Sequence, residues 1–175
     1  MTSREVDNCI FCKIVRGDAD YRMVAQSGSA LAFLDVHPIS EGHTLVIPKR
    51  HYATMDEMPK EEYLAVQGLV KDVSELLKDS LGADGLNITS ASGRAAGQEV
   101  GHLHIHVVPR YENDGIRLRF HNRGFKSSLD ETLARIRAHV RDVDDSRRRI
   151  FTMFRRDAHH HGSERMESGK RRLSA

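Results

Sequence analysis

The 175-residue chain has no tryptophan, four prolines and two cysteines, and aromatic residues make up only 6% of it. Two cysteines cannot build the disulfide framework of a small secreted domain, and a chain of this length buries a core without one. No run approaches the ~20 consecutive apolar residues of a membrane helix. The opening Met-Thr-Ser-Arg-Glu-Val-Asp lacks an apolar export segment. There are no internal repeats. These absences argue for one globular domain that is cytoplasmic and has no membrane partner.

A net charge of one sign is also nearly missing, but the formal +2 hides an asymmetry. Residues 147–175 hold nine Lys/Arg against three Asp/Glu, a net of +6, and the remaining residues hold 18 against 22, a net of −4. The expected organisation is therefore a body over residues 1–145 and a basic, flexible tail over 146–175. Arg147–Arg149, His159–His161 and Lys170–Arg172 give that tail the means to touch nucleic acid. A solvated extension is the plainer reading.

What the chain does have is a row of histidines. Residues 102–109 read His-Leu-His-Ile-His-Val-Val-Pro. Period-two alternation puts His102, His104 and His106 on one face of a strand and Leu103, Ile105 and Val107 on the other. At about 3.3 Å rise per residue the imidazoles stand roughly 6–7 Å apart, and Pro109 is expected to end the strand. One strand histidine is commonly structural; three on one face line a site. Imidazole chemistry leaves two uses open, metal ligation and nucleophilic or acid/base catalysis. Cys9 and Cys12 form a C-x-x-C pair, which reads as half a metal site or a redox couple.

The remaining pattern is α+β. Asn8–Arg16 reads as a short helix carrying both cysteines, stopped by Gly17. Residues 22–26 and 30–35 read as a hairpin about Ser27-Gly28-Ser29, and 44–47 as a buried strand. Pro59–Leu81 places Tyr63, Val66, Leu69, Val70, Val73, Leu76 and Leu77 on one stripe of a long amphipathic helix ending at Gly82. Residues 86–90 and 103–108 supply two more strands around a flexible loop at 92–98. Ser128 and Glu131 make a capping box for a last helix, with Leu129, Leu133, Ile136 and Val140 inward. The sum is about five mainly antiparallel strands with one long helix inserted.

Cys-Ile-Phe-Cys-Lys-Ile at 9–14, Gly42-His43-Thr-Leu-Val-Ile-Pro-Lys-Arg-His51 and Gly97-Gln98-Glu99-Val-Gly-His-Leu-His-Ile-His-Val-Val-Pro, in this order and spacing, resemble the histidine triad (HIT) superfamily. The resemblance is to its Hint branch in the zinc-bearing microbial form. It runs from about Asn8 to Tyr111, extends over the last helix to about Asp142, and leaves the tail outside.

The resemblance implies a nucleotide hydrolase or nucleotidyl transferase that attacks the α-phosphate of purine nucleotides through a covalent nucleotidyl-histidine. His104 would be the nucleophile, His106 the group facing the leaving group, and His43 and His102 would orient them. Asp35 would accept both ribose hydroxyls. Ile10, Phe11, Phe33 and Val36 would sandwich the base, and Gly97, Gln98 and Glu99 would face the phosphates. Two positions depart from relatives: Glu99 replaces a hydroxyl, and Ala91 an asparagine. Cys9, Cys12, His51 and His102 would bind one structural zinc ion, and the chain would form a homodimer through the long helix and an adjacent strand. A dinucleoside polyphosphate hydrolase is the alternative within the superfamily, against which Asp35 argues. A non-catalytic nucleotide-binding module is the alternative outside enzymes. His37, His121 and His139 match no role.

Overall fold

The computed structural model of the chain describes residues 3–117 and 127–141. It divides into two units, Met1–Leu118 and Arg119–Ala175. The expected boundary at 145/146, the basic tail and His121 lie outside the described residues.

The first unit carries five strands: β1 (Met23–Gln26), β2 (Ala30–Leu34), β3 (Thr44–Pro48), β4 (Gly85–Thr89) and β5 (Ile105–Arg110). They form one antiparallel sheet in the order β1-β2-β3-β5-β4. This is the α+β architecture expected from the periodicities. The long helix α3 (Lys60–Leu81) connects β3 to β4, and β5 lies between those two strands.

Alternation along the central strands sorts their side chains between two cores. On one face Ala30, Ala32, Val46, Leu103, Ile105 and Val107 pack against Val66, Leu69, Val70, Val73 and Leu77 of α3. On the other, Leu31, Phe33, Leu45 and Ile47 pack against Phe11 and Ile14 of the short helix α2 (Ile10–Arg16). Helix α3 has Glu61 and Glu62 in its first turn, where acidic groups complement the dipole, and ends at Gly82 with φ +64°. Leu76, expected inward, is exposed. It lies to the side of the stripe centred on Val66, Val73 and Leu77, and burying it would turn those residues out.

Three further expectations are corrected. The short helix begins at Ile10, with Cys9 extended at its N-cap, and a separate turn α1 (Ser3–Asn8) precedes it. Pro109 does not end β5, because it pairs with Leu86 and the strand runs to Arg110. Pairing to β3 stops at Val107, so the missing N–H falls on an unladdered side, where Ser40 donates its hydroxyl to the Pro109 carbonyl at 2.6 Å. Finally, the loop at 92–98 holds a 3₁₀ turn, Arg94–Ala96.

In the second unit, α4 (Leu129–Arg141) starts with the expected capping box: Ser128 N–H reaches Glu131 at 2.7 Å and Glu131 N–H reaches the Ser128 hydroxyl at 3.2 Å. Its apolar face is not inward, since Leu129, Leu133 and Ile136 are exposed.

Candidate functional site

Sheet register assembles the site. The Asp35 N–H donates to the His43 carbonyl at 2.9 Å, which extends the β2–β3 ladder one step and sets these residues side by side. His106 pairs with Leu45 across β3–β5. Asp35, His43 and His106 have the parity of Phe33 and Leu45, so they emerge on the α2 face. Gly42 allows the chain to enter there: its φ is +79°, and a Cβ would collide with Leu81 Cδ1 and lie 3.2 Å from Pro109 Cγ.

His102 and His104 precede β5 and are buried on the same face, each edge-on to Phe11 at ring-centroid separations of 5.8 and 5.5 Å. The rings of His104 and His106 are 5.1 Å apart, closer than the expected strand spacing, and His104 stands just ahead of the strand, which begins at Ile105 and not at 103.

The hydrogen bonds settle which nitrogens carry protons. His104 Nδ1 is 2.7 Å from the His102 carbonyl oxygen, so Nδ1 carries a hydrogen and Nε2 is the nitrogen turned away from the backbone. Ile39 N–H donates to His43 Nδ1 at 3.3 Å, which places the His43 hydrogen on Nε2. That hydrogen is donated to His106 Nδ1 at 2.9 Å, so His106 carries its own on Nε2. A lone pair on one ring thus stands beside an N–H donor on the next. Sequence reasoning missed two of the groups that fix this arrangement, Ile39 and Ser90. The Ser90 hydroxyl donates to the His104 carbonyl at 2.7 Å, just beyond the last β4–β5 ladder pair, Thr89 and His106. A backbone donor and a strand-end serine leave no mark in sequence periodicity.

Burial sets the charge of this cluster. It pushes His106 down to about 4, with His104 and His43 adding to the effect and Asp35 opposing it. Burial likewise lowers His43 against the pull of Asp35. Both rings are therefore neutral at pH 7, while the same histidines in an unfolded chain titrate near 6.5. Below pH 6.5 the unfolded chain takes up protons that the fold refuses, so stability should fall as pH drops from about 6.5 towards 4. The expected loss is on the order of 3 kcal/mol from His106. His106→Asn should flatten part of this fall in urea midpoints measured at pH 7.5, 6 and 5; a wild-type slope unchanged by the substitution would refute the assignment.

The other expected site residues divide into packed and exposed groups. Phe11 and Phe33 are core side chains, edge-to-face at 5.7 Å, while Ile10 and Val36 are exposed. Asp35 Oδ1 accepts the His37 N–H at 2.9 Å. Gly97 is needed for its φ of +86°, since a Cβ there would meet nothing within 4 Å. Glu99 and His37 are exposed.

The Gln98 side chain is committed to its own loop. It accepts from Gly93 N–H at 2.7 Å and donates to the carbonyls of Ala53 at 2.7 Å and Val100 at 3.0 Å. Gln98→Ala should cost about 1–3 kcal/mol. It should also raise amide exchange across residues 92–99; unchanged exchange there would show that the loop is held by other means.

Cys9, Cys12, His51 and His102 form a second cluster beside the first. Cys9 Sγ is 3.5 Å from His102 Nδ1, and Cys12 Sγ is 3.2 Å from His51 Nδ1 and 3.6 Å from His102 Nδ1. A tetrahedral zinc ion, with bonds of about 2.3 Å to sulfur and 2.0–2.1 Å to nitrogen, holds such donors about 3.6 Å apart. His102 Nε2 donates to the Pro48 carbonyl at 2.9 Å, which leaves the Nδ1 lone pair facing the sulfurs. Burial, then the hydrogen bond and charge of Cys9, raise the Cys12 thiol above its ordinary value, so a cation is needed to make it a thiolate. The residues fit a metal ion.

The HIT domain family model matches residues 16–113. The chain belongs to the HIT family. It is 34% identical over 138 residues to the adenylylsulfatase HINT3 of Arabidopsis thaliana, covering 77% of this chain and 70% of that protein. To the adenosine 5'-monophosphoramidase hnt1 of Schizosaccharomyces pombe it is 43% identical over 103 residues, 59% of this chain and 74% of that one. Among solved structures, a zinc-bound histidine triad family protein from Mycobacterium smegmatis superposes with a TM-score of 0.62 at 37% identity, covering 66% of this chain and 84% of the other. The family match begins after Cys12, so both cysteines lie outside it. No helix among the described residues is long and apolar enough to cross a membrane.

Proposed function

We propose that this HIT family chain hydrolyses purine nucleotides at the α-phosphate, releasing a nucleoside monophosphate from phosphoramidates or mixed adenylates through a nucleotidyl-His104 intermediate. The observation that carries the reading is the buried His104 whose Nδ1–H is spent on the His102 carbonyl, which makes Nε2 the ring nitrogen left to attack. The Nε2 lone pair attacks phosphorus, and the bond from phosphorus to the leaving group breaks. The leaving group departs with that electron pair, held by a hydrogen bond from His106 Nε2–H, and takes its proton from water at the site mouth. A water molecule then attacks phosphorus and gives its proton to solvent, the bond to His104 Nε2 breaks with its electron pair returning to the ring, and the monophosphate leaves. No deprotonation of the nucleophile is required. The two relatives named for activity on adenylylsulfate and on adenosine phosphoramidate support the substrate class, because both compounds present an adenylyl group on a small leaving group.

In this reading Asp35 receives the ribose hydroxyls, exposed Ile10 and Val36 contact the base, and the backbone of Gly97–Glu99 faces the phosphate. Cys9, Cys12, His51 and His102 hold a structural zinc ion that supplies folding energy and no chemistry at phosphorus. Exposed Leu64 and Leu76 on α3 and Ile88 on the edge strand β4 support a homodimer through that surface. The unit acts in the cytoplasm, with residues 146–175 as a tail outside the chemistry.

The deciding experiment is mass spectrometry of protein quenched during turnover of an adenosine phosphoramidate. A peptide containing His104 should gain one adenylyl group, and none should gain it in the His104→Ala variant. Binding without any adduct or monophosphate release would make the chain a nucleotide-binding module instead. His106→Ala should slow poor leaving groups by about 10²–10⁴ and activated ones far less. Equal losses across a leaving-group series would remove His106 from its role at the leaving group.

A further inference from the structure

Asp35 Oδ2, His43 Nε2 and His106 Nδ1 make a triangle of donors with sides of 3.5, 3.9 and 2.9 Å. An ion bound tetrahedrally at 2.0–2.1 Å keeps nitrogen and oxygen ligands about 3.4 Å apart, and the three sides bracket that value. All three donor atoms lie within 4.8 Å of one another. Two imidazoles and one carboxylate, with further positions open, suit a borderline divalent transition metal.

We propose that these three residues form a second metal site, which takes a zinc-class divalent ion and switches the triad off when filled. The inhibitory part rests on the catalytic reading above; the binding part does not. Asp35 and His43 are already fixed in place. Asp35 Oδ1 is occupied by the His37 N–H, which leaves Oδ2 turned towards the two rings. His43 is buried. The groups within 4 Å of the Asp35 carboxylate that can carry positive charge, among the described residues, are these two imidazoles. No described lysine or arginine pairs with the Asp35 carboxylate. A cavity of about 360 Å³ is lined by Leu34, Asp35, His43 and residues 38–42, so two of the three residues border open space.

Binding has a proton cost that sets its strength. His43 now donates its Nε2 hydrogen to His106. To ligate through Nε2 it must become the Nδ1–H tautomer, its hydrogen exchanging through solvent, and it then loses the 3.3 Å bond from Ile39 N–H. The metal–ligand bonds form at Oδ2, Nε2 and Nδ1 while the ion sheds water; nothing is oxidised or reduced. The cysteine site must release its thiol protons, but it closes on four ligands with two thiolates, and His102 keeps both its tautomer and its hydrogen bond to the Pro48 carbonyl. The two sites should therefore fill in order, the cysteine site first and the triad site only at excess metal. A filled triad site takes Asp35 from the ribose and replaces the His43–His106 hydrogen bond with two bonds to the ion, which places a cation between the rings that face the substrate.

Cobalt(II) titration of the full-length protein separates the two sites. The first equivalent should show thiolate-to-metal charge-transfer bands, lost in Cys9→Ser/Cys12→Ser. A second should show ligand-field bands without charge transfer, and Asp35→Ala or His106→Asn should weaken it about tenfold or more. Asp35→Asn serves as a milder variant, with thermal melts checking that each protein is folded. Zinc added to protein with a full cysteine site should slow adenosine phosphoramidate turnover with the midpoint of the second binding event. Absence of a second class overturns the proposal. So does a second class that these substitutions leave within twofold, which would assign it to His159–His161. A second ion that binds at Asp35 and His106 without slowing turnover overturns the inhibitory part. Failure of the His104 adduct with binding intact would instead refute the catalytic reading and leave the metal site standing.

Discussion

Alanine at position 104 is expected to lower turnover of an adenosine phosphoramidate by about 10⁴-fold or more, since the nucleophile of a covalent mechanism has no substitute nearby. His106 is the neighbouring imidazole, but its Nδ1 is occupied by the His43 hydrogen and its Nε2 is itself protonated, so neither nitrogen offers a lone pair. Nucleotide affinity should stay within about tenfold, roughly 1.4 kcal/mol, because the proposed base and ribose contacts come from other residues. The measurement is a pair: kcat by monophosphate release, and Kd for the monophosphate by calorimetry. Loss of both together would mean that His104 holds the site's shape. An active variant would end the covalent mechanism. His104→Gly with added imidazole provides a further control, since restored turnover would show that the missing element is a nitrogen lone pair.

Elements that rest on local regularity could be read from the sequence. The alternation of His102, His104 and His106 with Leu103, Ile105 and Val107 separates site from core as expected, because both faces of this sheet are covered and each parity has one destination. The capping box at Ser128 and Glu131 forms because it needs only the backbone between them. What was not legible depends on partners distant in sequence. Pro109 continues a strand because β3 has already ended on its unpaired side. The Gln98 side chain serves the backbone at Ala53, Gly93 and Val100. Leu76 fits a helical stripe by counting but misses the sheet by its angle, and it is exposed. At the site itself, residue types and spacing indicated which histidines belong together. Their proton positions come from the His102 carbonyl and the Ile39 amide, which every sequence possesses.

Metal removal should separate stability from chemistry. Cys9 stands at the N-cap of α2, Cys12 lies in its first turn, His51 follows β3, and His102 precedes β5. One ion on these four would tie together segments that are otherwise joined through the Phe11, Phe33 and Leu45 core. Ligand thiols must lose their protons to bind, and the Cys12 thiol is raised by burial, so most of the site's stabilisation arrives with the ion. Cys9→Ser/Cys12→Ser, or exhaustive chelation, should cost roughly 4 kcal/mol or more and lower Tm by about 10 °C or more. His51→Ala should resemble the cysteine changes in Tm. Part of the activity should survive at low temperature, because the His104 proton is held by the backbone carbonyl of His102 and not by its ring. Protein dialysed free of loosely held metal should retain about one zinc per chain, as a single four-ligand site requires. Folded, active protein that holds no metal after purification from zinc-supplemented medium would show that the cysteines are packed thiols. His102 would then act on the triad through its carbonyl alone.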